Sequence, residues 1–102
     1  MAIFHSNIDV KSESFNQNYS TMEEAVNEFR TIEQTVIQNA QEKAPRYEKK
    51  GLLSPRNRLA LLLDPNKPFL PISTLCGYLQ EGDKDGSAAG GGVIAGIGYV
   101  AD

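Results

Sequence analysis

Gly90-Gly91-Gly92-Val93-Ile94-Ala95-Gly96-Ile97-Gly98-Tyr99-Val100-Ala101-Asp102 is a glycine run feeding an apolar strand, and the fold is read outward from it. Val93, Ala95, Ile97 and Tyr99 alternate with Ile94, Gly96, Gly98 and Val100, so both faces are apolar or bare backbone. Such a strand belongs inside a sheet, because its N–H and C=O groups need neighbours on either side. Upstream, Lys67-Pro68-Phe69-Leu70-Pro71-Ile72 carries two prolines and reads as an edge strand at best. Little else could pair with the terminal strand. The residues are therefore expected to be the front of a longer protein, and poorly stable in isolation.

The 102 residues carry a net charge of -3 and no Trp, amounting to about one small domain with a modest core. No run of about 18 apolar residues occurs, and the first residues lack the basic-then-apolar pattern of a secretory signal. The expectation is a cytoplasmic protein without a membrane role. The single Cys76 cannot form an internal disulfide and has no Cys or His at metal-ligand spacing, so it reads as a small buried apolar residue. Residues 43–58 hold Lys43, Arg46, Lys49, Lys50, Arg56 and Arg58 against Glu48 alone. This basic segment reads as a solvated helix end and loop, with phosphate contact as the rival. Nucleic-acid binding is disfavoured, since the total charge is acidic and only Tyr47 lies within the run to stack on a base.

Residues 1–19 are polar and without period, and are expected to form an extended or flexible arm, with His5 an ordinary surface residue. Ser20-Thr21-Met22-Glu23 carries a capping-box signature, so a helix is expected from about 21 to 43. Met22, Ala25, Val26, Phe29, Ile32, Val36 and Ala40 form its apolar stripe, and Pro45 pushes Ala44 out of helical geometry. Ser54-Pro55 is a second helix start, with Leu59, Leu62 and Leu63 as the buried edge and Asp64-Pro65-Asn66 as the stop. Gln80 to Ala89 reads as a flexible polar loop.

No catalytic, cofactor-binding or metal-binding residue is assigned by these patterns. Gly96-Ile97-Gly98-Tyr99-Val100-Ala101 formally matches the G-x-G-x-x-A dinucleotide fingerprint, but its glycines lie within a strand and no helix opens from them. Gly90-Gly91-Gly92 lacks the Lys-Ser/Thr of a P-loop and reads as a hinge into the sheet. Asp83 and Asp85 lie outside any twelve-residue calcium pattern.

Three blocks in succession are more specific: Gly51-Leu52-Leu53-Ser54-Pro55-Arg56-Asn57-Arg58-Leu59, then Leu61-Leu62-Leu63-Asp64-Pro65 with Pro68-Phe69-Leu70, then Gly90 to Val100. Residues 20–102 in this order resemble the N-terminal part of the carboxyltransferase (beta) subunits of biotin-dependent acyl-CoA carboxylases, of the methylcrotonyl-CoA and geranyl-CoA carboxylase type. Tyr99 stands where that family commonly has Arg. The resemblance implies an α+β or α/β fold in which N-terminal helices lead into the first strand of a crotonase-like (ClpP/crotonase) domain, incomplete over these residues. It implies a ligase-class carboxyltransferase that moves CO2 from carboxybiotin to an acyl-CoA enolate. Biotin would be carried on a biotin carboxylase/biotin carrier partner subunit, and the full-length subunit would be a homo-oligomer. Such chemistry relies on backbone N–H groups aimed at developing oxyanions, and the family's donors lie downstream. Residues 1–102 are accordingly expected to be structural. Arg56 and Arg58 could approach CoA phosphates, although a salt bridge is the expected role. The alternative is a small non-enzymatic interaction module that binds a partner through the Met22–Ala40 helix face.

Overall fold

The first helix is set by Ser12 rather than by Ser20. In the computed structural model, which describes residues 1–90 and 92–101, the element order is α1 (Glu13–Glu48), α2 (Pro55–Leu62), β1 (Leu70–Ile72) and β2 (Ala95–Ile97). The Ser12 hydroxyl accepts from the Phe15 N–H at 3.1 Å and donates to the Asp9 carbonyl at 2.8 Å, while the Asp9 carboxylate accepts from the Lys11 N–H. These bonds satisfy donors that a helix start leaves open, so the helix begins a full two turns before the expected capping box. The boundary expected between residues 19 and 20 therefore falls inside α1, and residues 13–19 are helix rather than extended arm. Within the helix Thr21 bonds back to the Gln17 carbonyl at 3.0 Å.

Pro45 does not end α1 either. The helix runs through it to Glu48 and closes in a Schellman motif, with Gly51 N–H donating to the Glu48 carbonyl and Leu52 N–H to the Tyr47 carbonyl. Gly51 takes the left-handed conformation (φ 69°) that this closure requires, which a side chain disfavours. Proline removes one helical donor, and this close to the end only one turn lies beyond the defect. The closure at Gly51 is a second stop signal, and it overrides the weaker one at Pro45.

The chain divides into two compact units, Met1–Thr31 and Ile32–Asp102, and α1 contributes to both. In the first, Phe15 and Tyr19 stack with centroids 6.4 Å apart, while Met22, Val26 and Phe29 stay exposed, Met22 by 65%. In the second, Ile32, Val36, Ile37 and Ala40 are half-buried. Among the described residues no hydrophobic side chain is fully buried in either unit.

Helix α2 forms as its sequence indicates: Ser54 caps it through the Asn57 N–H, and Pro55 sits where its missing donor is not needed. Ser54 is 6% exposed. The expected buried edge is only partly realised, since Leu59 and Leu63 are half-buried but Leu62 is exposed. Cys76, expected to be buried, is exposed as well. Its backbone bonds to Ser73 and Gly90 fix it in a surface turn rather than in a core.

The terminal strand does find an upstream partner, contrary to expectation. β1 and β2 pair antiparallel, with Leu70 opposite Ile97, Pro71 opposite Gly96 and Ile72 opposite Ala95. Ordered pairing covers Ala95–Ile97, shorter than the apolar run. Beyond it, Asp64 holds the chain from both sides: its N–H donates to the Tyr99 carbonyl at 2.9 Å and its carboxylate accepts from the Ala101 N–H at 2.8 Å. Proline in β1 confirms it as an edge strand. Of the glycine run expected to act as a hinge, Gly91 lies outside the described residues, as does Asp102.

Candidate functional site

Residues 32–101 enclose a groove of about 710 Å³ between the C-terminal half of α1, the start of α2 and the β1–β2 ribbon. Its walls are mostly apolar, with Val36, Ile37 and Ala40 on the helix and Ile72, Ala89 and Ile94 on the strand side. Gly90 lets the two sides approach, because a Cβ there would stand 3.3 Å from Val36 Cγ1. One hydrogen bond joins them directly, from Thr74 Oγ1 to Glu33 Oε1 at 3.0 Å. The charged lining consists of Glu33, Lys43 and Arg56, a surplus of one positive charge. Nε of Arg56 is shut off from solvent and has no hydrogen-bond partner among the described residues. The salt bridge expected of Arg56 is thus not made through that atom.

The strand glycines serve packing. A Cβ on Gly96 would collide with the Phe69 ring and lie 2.6 Å from the Leu70 carbonyl oxygen, and one on Gly98 would lie 2.6 Å from Leu63 Cδ2. Gly96-Ile97-Gly98 is therefore the floor on which Phe69 and Leu63 rest, with the glycines in and beside β2 and no helix opening from them. Lys67 lies over the neighbouring Tyr99 ring, its Nζ 5.3 Å from the centroid, which gives this tyrosine a cation–π partner.

The loop from Gln80 to Ala89 is organised by one side chain that the sequence reading passed over for any role. Asp83 accepts from the Leu79 N–H at 2.9 Å and from the Ala88 N–H at 3.2 Å, closing the loop across its base. Asp85 accepts from Ser87, and the Ser87 hydroxyl, followed by its N–H, holds the Asp85 carboxyl below its ordinary range. Among the described residues no group of three His, Cys, Asp or Glu is placed to hold a metal. His5 is exposed, and Arg58 is exposed on α2. The structure thus brings together an apolar groove with a cationic lining, and no nucleophile, base and orienting group in mutual reach.

No protein-family model matches the chain. Individual relatives do. The chain is 32% identical over 99 residues to a probable mitochondrial methylcrotonoyl-CoA carboxylase beta chain of Drosophila melanogaster, covering 96% of this chain and 17% of that one. Over 55 residues it is 42% identical to the biotin-dependent 3-methylcrotonyl-coenzyme A carboxylase beta1 subunit of Mycobacterium tuberculosis, which covers 54% of this chain and 10% of that one. Among solved structures, the beta subunit of geranyl-CoA carboxylase from P. aeruginosa superposes with a TM-score of 0.74 at 50% identity, over 94% of this chain and 17% of that one. The chain thus spans about one sixth of the length of the relatives that match it along nearly its whole extent. No helix is long and apolar enough to cross a membrane among the described residues. By sequence and by fold, with helices leading into the first strand of a crotonase-like domain, the chain corresponds to the N-terminal segment of the carboxyltransferase beta subunits of biotin-dependent acyl-CoA carboxylases.

Proposed function

We propose that this segment is the structural N-terminal part of a carboxyltransferase subunit that moves a carboxyl group from biotin to an acyl-CoA. The observation that carries the reading is the 50% identity over 94% of the chain to a geranyl-CoA carboxylase beta subunit of the same fold. Residues 20–102 would form the first part of the carboxyltransferase domain. Biotin would arrive on a partner carboxylase/carrier subunit and supply the carboxyl group for transfer. The subunit would be a homo-oligomer of the cytoplasm, although related chains include mitochondrial ones.

The segment's own residues do not form a biotin site. The cyclic urea of biotin requires both donors and acceptors around it, whereas the groove offers apolar walls and the lone Nε of Arg56. What the segment contributes is position. The Phe69 and Leu63 contacts seat β2, the Asp64 bonds fix the chain through Ala101, and a sheet extended from β2 would carry the backbone donors that stabilise an enolate. The acyl group is proposed to be of the branched methylcrotonyl or geranyl class. The native protein, purified with its biotinylated companion, should fix labelled bicarbonate into methylcrotonyl-CoA or geranyl-CoA. Purification without a biotinylated companion, and no label incorporated, would overturn the reading and favour the interaction-module alternative.

A further inference from the structure

The guanidinium of Arg56 presents a buried donor with nothing to accept from it among the described residues. A buried N–H without a partner gives up its hydration and gains nothing in return, so such atoms mark a missing acceptor. It belongs to a groove whose remaining charged lining is Lys43 and a Glu33 already bonded to Thr74. We infer that in the full-length subunit this groove is filled by an apolar segment from elsewhere in the same subunit, and that a carboxylate on that segment accepts from Arg56. The inference rests on the carboxyltransferase reading for the existence of the remaining subunit.

Two further observations select the occupant. The walls ask for an apolar body and the cationic lining for one negative charge, which a helix or loop with a single Asp or Glu supplies. The chain also exposes 8921 Å², against roughly 5,700 Å² for a folded monomer of 11.2 kDa. That excess of roughly 3,200 Å² is several times the ~800 Å² that a standard protein–protein contact covers on one partner. A second copy of the chain would leave most of it open, whereas the relatives' additional length is ample to cover it.

The test is thiol labelling of the full-length subunit carrying Ala40→Cys, read at residue 40 by peptide mass spectrometry against the urea-unfolded protein. Labelling should be at least tenfold slower in the native state and independent of dilution, and Arg56→Met should speed it severalfold where Arg56→Lys does so less. Amide exchange across residues 36–40 of the unmodified protein gives the same answer if the cysteine variant fails to fold. Rapid native labelling would overturn the inference, as would protection lost on dilution, which indicates a second copy. An unchanged rate in Arg56→Met would overturn the carboxylate contact. A protected, dilution-independent residue 40 in a protein without carboxylase activity would sink the functional reading and leave the groove assignment standing.

Discussion

Gly96 and Gly98 show how one residue type supports two readings. Their spacing matches a nucleotide fingerprint, but the contacts their Cβ atoms would make, with the Phe69 ring and with Leu63, show that bare backbone is needed for packing. Gly96→Ala should destabilise the folded subunit by about 1–3 kcal/mol, the usual range for overpacking, measured as a lower denaturant midpoint. Ser54 was legible from its Ser-Pro context, and its near-complete burial adds to the cost of losing it. Ser54→Ala should cost about 0.5–2 kcal/mol by the same measurement. Asp85 supplies a pH prediction. Its carboxyl is stabilised in the ionised form by Ser87, so its contribution is present above the unfolded-state value and lost as pH falls through the lower folded-state value. An NMR titration should place its midpoint below the ordinary range, and Ser87→Ala should move it back up. The exposure of Cys76 could not be foreseen, because one Cys among apolar neighbours carries no local signal for which way a turn will point it.

At the scale of elements, propensity and apolar stripe located both helices, and the competition between signals decided their ends. The Ser20-x-x-Glu23 pattern and the Asp9/Ser12 pair are both valid starts, and the earlier one prevails because nothing between them breaks the helix. Ser12→Ala should therefore reduce helicity at the start of α1, while Ser20→Ala should leave it unchanged, as residue-resolved amide exchange would report. An equal loss in both variants would contradict the placement of the cap. The C-terminal end was misjudged for a similar reason: Pro45 is visible as a breaker, but the closure at Gly51 depends on two hydrogen bonds that only the folded backbone reveals. The β1–β2 pair was hidden because β1 is three residues long with a central proline, below the length at which alternation can be read. Tyr99 and Lys67 likewise meet only once Asp64 has joined the two segments.

For the molecule as a whole, the apolar stripe without cover and the strand with two apolar faces already indicated that these residues complete their core against something else. The structure sharpens that, since among the described residues no apolar side chain is fully buried. Hydrophobic stabilisation scales with apolar area removed from water, and here little is removed. The 102-residue chain alone should accordingly melt over a broad range without a cooperative transition in calorimetry, even though its strand is paired. The basic segment at 43–58 was legible as charge but not as a groove lining, because Lys43 and Arg56 meet only through the fold. The measurement that tests the central claim most directly is the intact mass of the native gene product, taken together with whatever co-purifies. The account predicts a chain several times longer than 102 residues accompanied by a biotinylated subunit. A native product of 102 residues, folded and without a biotinylated companion, would contradict it.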